Sequence, residues 1–124
     1  KLKEISYLHS EAYAAGELKH GTISLIEENR LVVALNCYEA LSDKLMSNIK
    51  EVKARGARVL ATAFRGNEEI KNYADEVIYL PKVHPLLLAS LEVVPLQIFA
   101  YYMALHKGCD IDKPRNLAKS VTVE

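Results

Sequence analysis

A lysine and a glutamate at the start of the chain could move a proton beside a carbonyl group. Lys1 and Glu4 are three residues apart, and that spacing in a helix places two side chains on the same face. The Glu4 carboxylate could act there as a general base, with the ammonium group of Lys1 beside it. The residues alone leave open the alternative of an ordinary ion pair on a solvated helix face.

A histidine in a polar stretch bounded by glycines is the second candidate. His20 lies between Gly16 and Gly21, and glycines permit tight turns and the close approach of a ligand. An imidazole gains or loses a proton near neutral pH, which the opening of a cyclic sugar requires. A hydrogen bond to a loop carbonyl is the competing, structural role.

The third candidate is a lysine in the C-terminal tail. This tail contains Pro114, Arg115 and the strand-like Val121-Thr122-Val123, whereas frayed termini are usually rich in small polar residues. We expect the tail to dock across the domain and to bring Lys119 into a cleft. A desolvated lysine loses its proton more readily and can attack a carbonyl to form a Schiff base. The alternative is an exposed lysine on a disordered tail.

Strands that alternate with helices would position these residues. Apolar runs predict strands over residues 31–35, 58–64 and 77–80. Helical spacing predicts helices over residues 1–15, from Leu41 to a stop at Gly56, over 68–73, and, after Pro85, over 86–106. The alternation indicates an α/β fold of three layers, a parallel sheet flanked by helices, with ligands at the carboxyl ends of the strands. Because three strands make a thin sheet, we expect further strands of the complete fold upstream.

Charge, cysteine content and motifs exclude several classes of function. Sixteen basic and sixteen acidic residues cancel, so neither nucleic acid nor an anionic membrane is an expected partner. Cys37 and Cys109 show no zinc-type spacing, which favours reduced thiols in a cytoplasmic protein without a metal. No GxGxxG or P-loop motif is present, and we expect no cofactor.

Residues 86–105 form a largely apolar stretch that is long enough in principle to cross a bilayer. It contains Glu92, and an ionised carboxylate near the bilayer centre costs several kcal/mol. We therefore interpret the stretch as a helix between a sheet and a partner subunit, and we expect a homodimer.

Four stretches of the sequence resemble one enzyme family. They are KLKEISY at 1–7, EAYAAGELKHG at 11–21, VPLQ at 94–97 and PRNLAKSVTVE at 114–124. Together they are similar to the glucosamine-6-phosphate synthases, amidotransferases with a glutaminase domain and two sugar-isomerase (SIS) domains. The resemblance implies an SIS-type fold, part of a flavodoxin-like open sheet, with the tail docked over the site. Residues 1–112 would be the C-terminal portion of the second SIS domain, and residues 113–124 an active-site lid.

The resemblance also implies a reaction and roles for individual residues. The family converts fructose 6-phosphate and glutamine into glucosamine 6-phosphate and glutamate. Lys119 matches the lysine that forms a Schiff base with the open-chain ketose, and Glu4 matches the base that moves a proton between C1 and C2. His20 matches the ring-opening histidine, which the neighbouring subunit provides. Lys1 matches a lysine beside the sugar, and Ala118 lies where the tail backbone lines the site.

One substitution and several missing parts depart from the family. Thr22 stands where many members have proline, which leaves His20 in place. The glutaminase domain and the first SIS domain, with its Ser/Thr-rich phosphate loop, are expected elsewhere on the parent chain, so this fragment alone should not make product. Two alternatives remain open: a non-catalytic module that binds sugar phosphates, and an SIS enzyme that acts on fructosamine phosphates.

Overall fold

The computed structural model describes residues 1–115. The chain divides into two compact units. One unit is Tyr13–Glu92, and the other combines Lys1–Ala12 with the chain from Val93 onward.

A parallel three-stranded sheet forms the centre of the Tyr13–Glu92 unit. Its strands are β1 (Leu31–Asn36), β2 (Arg58–Phe64) and β3 (Glu76–Leu80), in the order β1-β2-β3. Leu31 of β1 lies opposite Arg58 of β2, and Leu60 of β2 lies opposite Glu76 of β3. The prediction of a parallel α/β sheet is confirmed, and no predicted strand differs from the observed one by more than one residue at an end.

The middle strand is buried on both faces because its alternate side chains meet different helices. Val59, Ala61 and Ala63 are fully buried in a cluster with the helix α2 (Ser42–Lys53), whose Met46, Ile49 and Val52 point into the same core. Phe64, on the other face, packs in a cluster with Cys37, Leu80 and Leu88. The unit therefore has three layers, as the sequence predicts, and the small side chains of β2 let α2 lie close to the sheet.

Gly56 fixes the turn from α2 into β2. Its φ of 86° is in the left-handed region, and a Cβ atom there would lie 3.0 Å from the Cα atom of Glu28. The Gly56 carbonyl also accepts a hydrogen bond of 2.8 Å from the backbone N–H of Asn29. Only glycine combines that backbone conformation with so close an approach.

The long helix α3 (Leu88–His106) follows a 3-10 turn over Pro85–Leu87. It continues through Pro95, which has no backbone N–H to donate within the helix. By length and composition alone, Pro85–His106 could cross a membrane, a criterion that core helices of soluble proteins also meet. Five exposed apolar side chains recur along it at helical spacing; we call them the α3 apolar face: Val94, Ile98, Tyr101, Tyr102 and Leu105.

The first helix is much shorter than predicted. We expected a helix over residues 1–15 capped by Gly16, but α1 covers only Leu2–Ser6, and Gly16 lies inside a 3-10 helix, Ala15–His20. Tyr7 ends α1 with a left-handed φ of 59°. The apolar positions beyond it remain partly or wholly exposed, so no packed face stabilises a longer helix there.

Candidate functional site

Lys1 and Glu4 form an ion pair at the first turn of α1. The Nζ atom of Lys1 lies 2.9 Å from Oε2 of Glu4. The hydrogen bond from that ammonium group, together with its charge, lowers the pKa of the Glu4 carboxyl group. Glu4 is therefore ionised at neutral pH, which is the state a general base requires. About a third of its side chain is exposed, so the carboxylate is open to a ligand.

Packing on one side of α1 fixes the orientation of this pair. Ile5 is buried in a cluster with Ala100 and Ala104 of α3. At the last residue of α1, the Nζ atom of Lys107 donates a hydrogen bond of 2.7 Å to the Ser6 carbonyl. All of these residues belong to one unit, and their packing holds the Lys1–Glu4 pair on the more exposed side of α1.

The start of the C-terminal tail is attached to the end of α1. The backbone N–H of Arg115 donates a hydrogen bond of 2.9 Å to the Tyr7 hydroxyl oxygen, and its guanidinium group lies 4.0 Å from the centre of the Tyr7 ring. Pro114 is buried. Stacking of arginine on an aromatic ring stabilises such a contact. The tail therefore begins against the residue three positions after Glu4.

Sequence reasoning did not identify the contact between Tyr7 and Arg115. The two residues are 108 positions apart, and no spacing rule pairs residues at that distance. The predicted site residues Lys119 and Ala118 lie outside the described residues. The docking of the tail over the site therefore stays a prediction.

His20 belongs to the Tyr13–Glu92 unit and ends the 3-10 helix Ala15–His20. Its Nε2 atom lies 3.9 Å from a carboxylate oxygen of Glu17, and three quarters of its side chain is exposed. Gly21 follows with a φ of 135°, a conformation that few other residues adopt. Of the predicted site residues, the structure brings Lys1 and Glu4 together and places His20 beside Glu17.

Two other kinds of chemistry find no support among the described residues. Within residues 1–115, no group of three or more His, Cys, Asp or Glu side chains could hold a metal ion. Cys37 is buried, and burial is the main cause that raises its pKa to about 11. The Cys37 thiol therefore stays protonated at neutral pH and is a poor nucleophile.

Comparison with known proteins identifies a domain family and several similar enzymes. The sequence profile of the SIS domain family matches residues 1–107. The chain is 62% identical, over its whole length, to glutamine–fructose-6-phosphate aminotransferase (isomerizing) of Caldanaerobacter subterraneus subsp. tengcongensis, and 59% identical to the enzyme of that name from Thermus thermophilus. It spans about a fifth (20%) of the length of each of these curated relatives.

A solved structure is similar to this chain in both fold and sequence. The fold is similar to that of the C-terminal domain of glucosamine-fructose-6-phosphate aminotransferase from Francisella tularensis, with a TM-score of 0.80 and 37% sequence identity. The match covers 90% of this chain and 32% of the other. At this identity the likeness extends to sequence as well as to fold.

Proposed function

Because the chain belongs to the SIS domain family, we propose that it is the sugar-isomerising part of a glutamine–fructose-6-phosphate aminotransferase. In this proposal the full-length protein converts fructose 6-phosphate and glutamine into glucosamine 6-phosphate and glutamate. On the same parent chain, a glutaminase domain releases the ammonia and a first SIS domain binds the phosphate group of the sugar. The free thiols Cys37 and Cys109 fit a cytoplasmic location.

The proposed chemistry passes through a covalent intermediate on Lys119. After His20 of the neighbouring subunit helps to open the sugar ring, the uncharged Lys119 amine attacks the C2 carbonyl, and water leaves as the Schiff base forms. The product carries its amino group on C2, so ammonia must then displace the lysine. Glu4 takes a proton from C1 and returns it to C2, and the hydroxyl proton of O1 passes to the imine nitrogen, so an aldehyde forms at C1 and an amine at C2.

The Lys1–Glu4 pair is the observation in the structure that carries this proposal. A general base must be ionised and accessible, and the 2.9 Å contact with Lys1 meets the first condition while the partial exposure of Glu4 meets the second. The attachment of Arg115 to Tyr7 supports a tail that starts near Glu4. Lys119 follows only four residues later.

Product formation tests the proposal. A full-length protein that carries this chain should release glucosamine 6-phosphate from fructose 6-phosphate and glutamine, as measured by mass spectrometry. The 124-residue chain alone should release none, because it lacks the ammonia source. A full-length protein that binds fructose 6-phosphate reversibly but makes no amino sugar would be a sensor and would overturn the proposal.

Homodimerisation through the α3 apolar face is part of the same proposal. The five residues of this face are between 46% and 61% exposed in the chain by itself, and a continuous apolar stripe of this kind favours burial against protein. A bilayer is a less suitable cover, because Glu92 on the same helix accepts a hydrogen bond of 2.9 Å from the Thr62 hydroxyl of β2.

Replacing Ile98 of this face by glutamate should convert a dimer to a monomer. A charge buried without a partner in an interface weakens association strongly. Sedimentation velocity of the full-length protein would measure the change. Ser47→Glu, which adds the same charge to the exposed side of α2, should remain dimeric. A wild-type monomer, or a dimer that Ile98→Glu leaves intact, would contradict this interface.

A further inference from the structure

A polar cavity of about 300 Å³ lies at the carboxyl ends of β1 and β2. It belongs entirely to the Tyr13–Glu92 unit, and none of Lys1, Glu4 and His20 lines it. In parallel α/β sheets, ligands bind at this edge. The polar residues of its lining are Asn36, Glu39, Ser42, Arg65, Asn67 and Lys82.

The carboxamide of Asn36 is buried in this lining without a hydrogen-bond partner. Asn36 ends β1 and is 4% exposed, and neither its side-chain nitrogen nor its oxygen has a partner in the described structure. Native structures contain few such groups because a buried polar atom that forms no hydrogen bond is costly. The Asn36 carboxamide therefore has hydrogen-bonding capacity that a ligand or a water molecule at the cavity wall would satisfy.

The neighbouring hydroxyl group cannot serve the Asn36 side chain as a donor. Thr62 accepts a hydrogen bond of 3.2 Å from the backbone N–H of Asn36, and it donates its single proton to a carboxylate oxygen of Glu92 at 2.9 Å. A hydroxyl group has one proton to donate. The network thus holds the Asn36 backbone and leaves its carboxamide free for a ligand.

The charges around the cavity favour an anion. Lys82 pairs with Glu39 at 2.6 Å, whereas no ion pair of the Arg65 guanidinium is found within residues 1–115. The helix α2 begins at Ser42, also in the lining, directly after a 3-10 turn over Glu39–Leu41. The backbone N–H of Ser42 donates to the Glu39 carbonyl, and no side chain caps α2. The positive end of a helix dipole still attracts negative charge.

We propose that this cavity binds a small hydroxylated oxyanion, a phosphate or carboxylate carried on a polyol. The oxyanion lies between Arg65 and the first turn of α2, where a guanidinium group and backbone N–H groups both donate. The Asn36 carboxamide and the Glu39 carboxylate meet the hydroxyl groups of the ligand. This site goes beyond the proposed isomerisation, since the residues assigned to that reaction do not line it.

Titration of the 124-residue chain tests the site. Backbone amide shifts in NMR spectra would be followed with glucose 6-phosphate, gluconate, inorganic phosphate and, as the uncharged comparison, sorbitol. Glucose 6-phosphate and gluconate should bind and shift the amides around Asn36 and Arg65. Inorganic phosphate should bind more weakly, and sorbitol should not bind. Equal responses to sorbitol and to the anions would overturn the proposal.

Variants then locate the binding. Arg65→Gln and Asn36→Leu should each weaken binding of glucose 6-phosphate at least tenfold, and Asn36→Leu should also raise the melting temperature of the free chain by removing the unpartnered polar group. Arg55→Gln, which changes an exposed arginine outside the cavity, should bind like wild type. Binding unchanged by Arg65→Gln would contradict the site even if Asn36→Leu fails to fold. Lys119→Arg should bind like wild type, which separates this test from that of the isomerisation.

Discussion

Replacing Lys119 by arginine is expected to abolish synthesis of glucosamine 6-phosphate by the full-length protein. Arginine keeps a positive charge on a long side chain, but its guanidinium group stays protonated and has no free amine to attack the C2 carbonyl. Loss of a covalent intermediate should lower kcat by on the order of a thousandfold or more. Mass spectrometric quantification of the amino sugar would measure it.

Two controls make the result for Lys119 specific. Hydrolysis of glutamine should survive in part in Lys119→Arg, since the proposed function assigns that reaction to another domain. Lys113→Arg, at an exposed lysine of the same tail, should retain normal synthesis. Normal synthesis by Lys119→Arg itself would remove Lys119 from the proposed mechanism.

The second large effect is expected for Glu4→Gln. Glutamine preserves the size of the side chain and its capacity to accept a hydrogen bond, but it cannot take the proton from C1. Loss of a general base should lower kcat by about 10²- to 10⁴-fold, while the Schiff base on Lys119 still forms. Glu28→Gln, at an exposed acid before β1, is the matched control and should keep full activity. If Glu4→Gln keeps the kcat of the wild type, another group must carry out the proton transfer.

Replacing Lys1, the ion-pair partner of Glu4, by methionine tests the role of Glu4 through the pH dependence of kcat/KM. The Lys1 ammonium group lowers the pKa of Glu4, so its removal should let that pKa rise toward the ordinary carboxyl value. The acid limb of the profile of kcat/KM against pH should then move to higher pH. An acid limb that does not move would mean that Glu4 does not control it.

The central sheet could be predicted from the sequence because each strand depends on a short apolar run. Residues 31–35 of β1 are an unbroken apolar run, and residues 59–64 of β2 are apolar except for Thr62. Burial of β2 on both faces requires such a run. The first helix could not be predicted in the same way. Its apolar spacing extends to residue 15, but α1 ends at Ser6 because Tyr7 adopts a left-handed conformation and later residues find no core to pack on.

The candidate site was predictable where residues are close in sequence and unpredictable where they are distant. Lys1 and Glu4 lie one helical turn apart, and the structure joins them as the spacing indicates. The contact of Arg115 with Tyr7 depends on tertiary packing across the chain. The burial of the Asn36 carboxamide depends on the pairing of β1 with β2, which places Asn36 opposite Ala63. The SIS domain, which four short stretches of sequence predicted, is confirmed by the family profile.

Reductive trapping with borohydride is the most direct test of the central claim that this chain acts on a ketose phosphate through Lys119. The full-length protein would be incubated with fructose 6-phosphate, reduced, digested and mapped by mass spectrometry. We expect a hexose phosphate adduct on Lys119, absent from Lys119→Arg and retained in Glu4→Gln. Reversible binding without an adduct, or an adduct on another lysine, would contradict the claim.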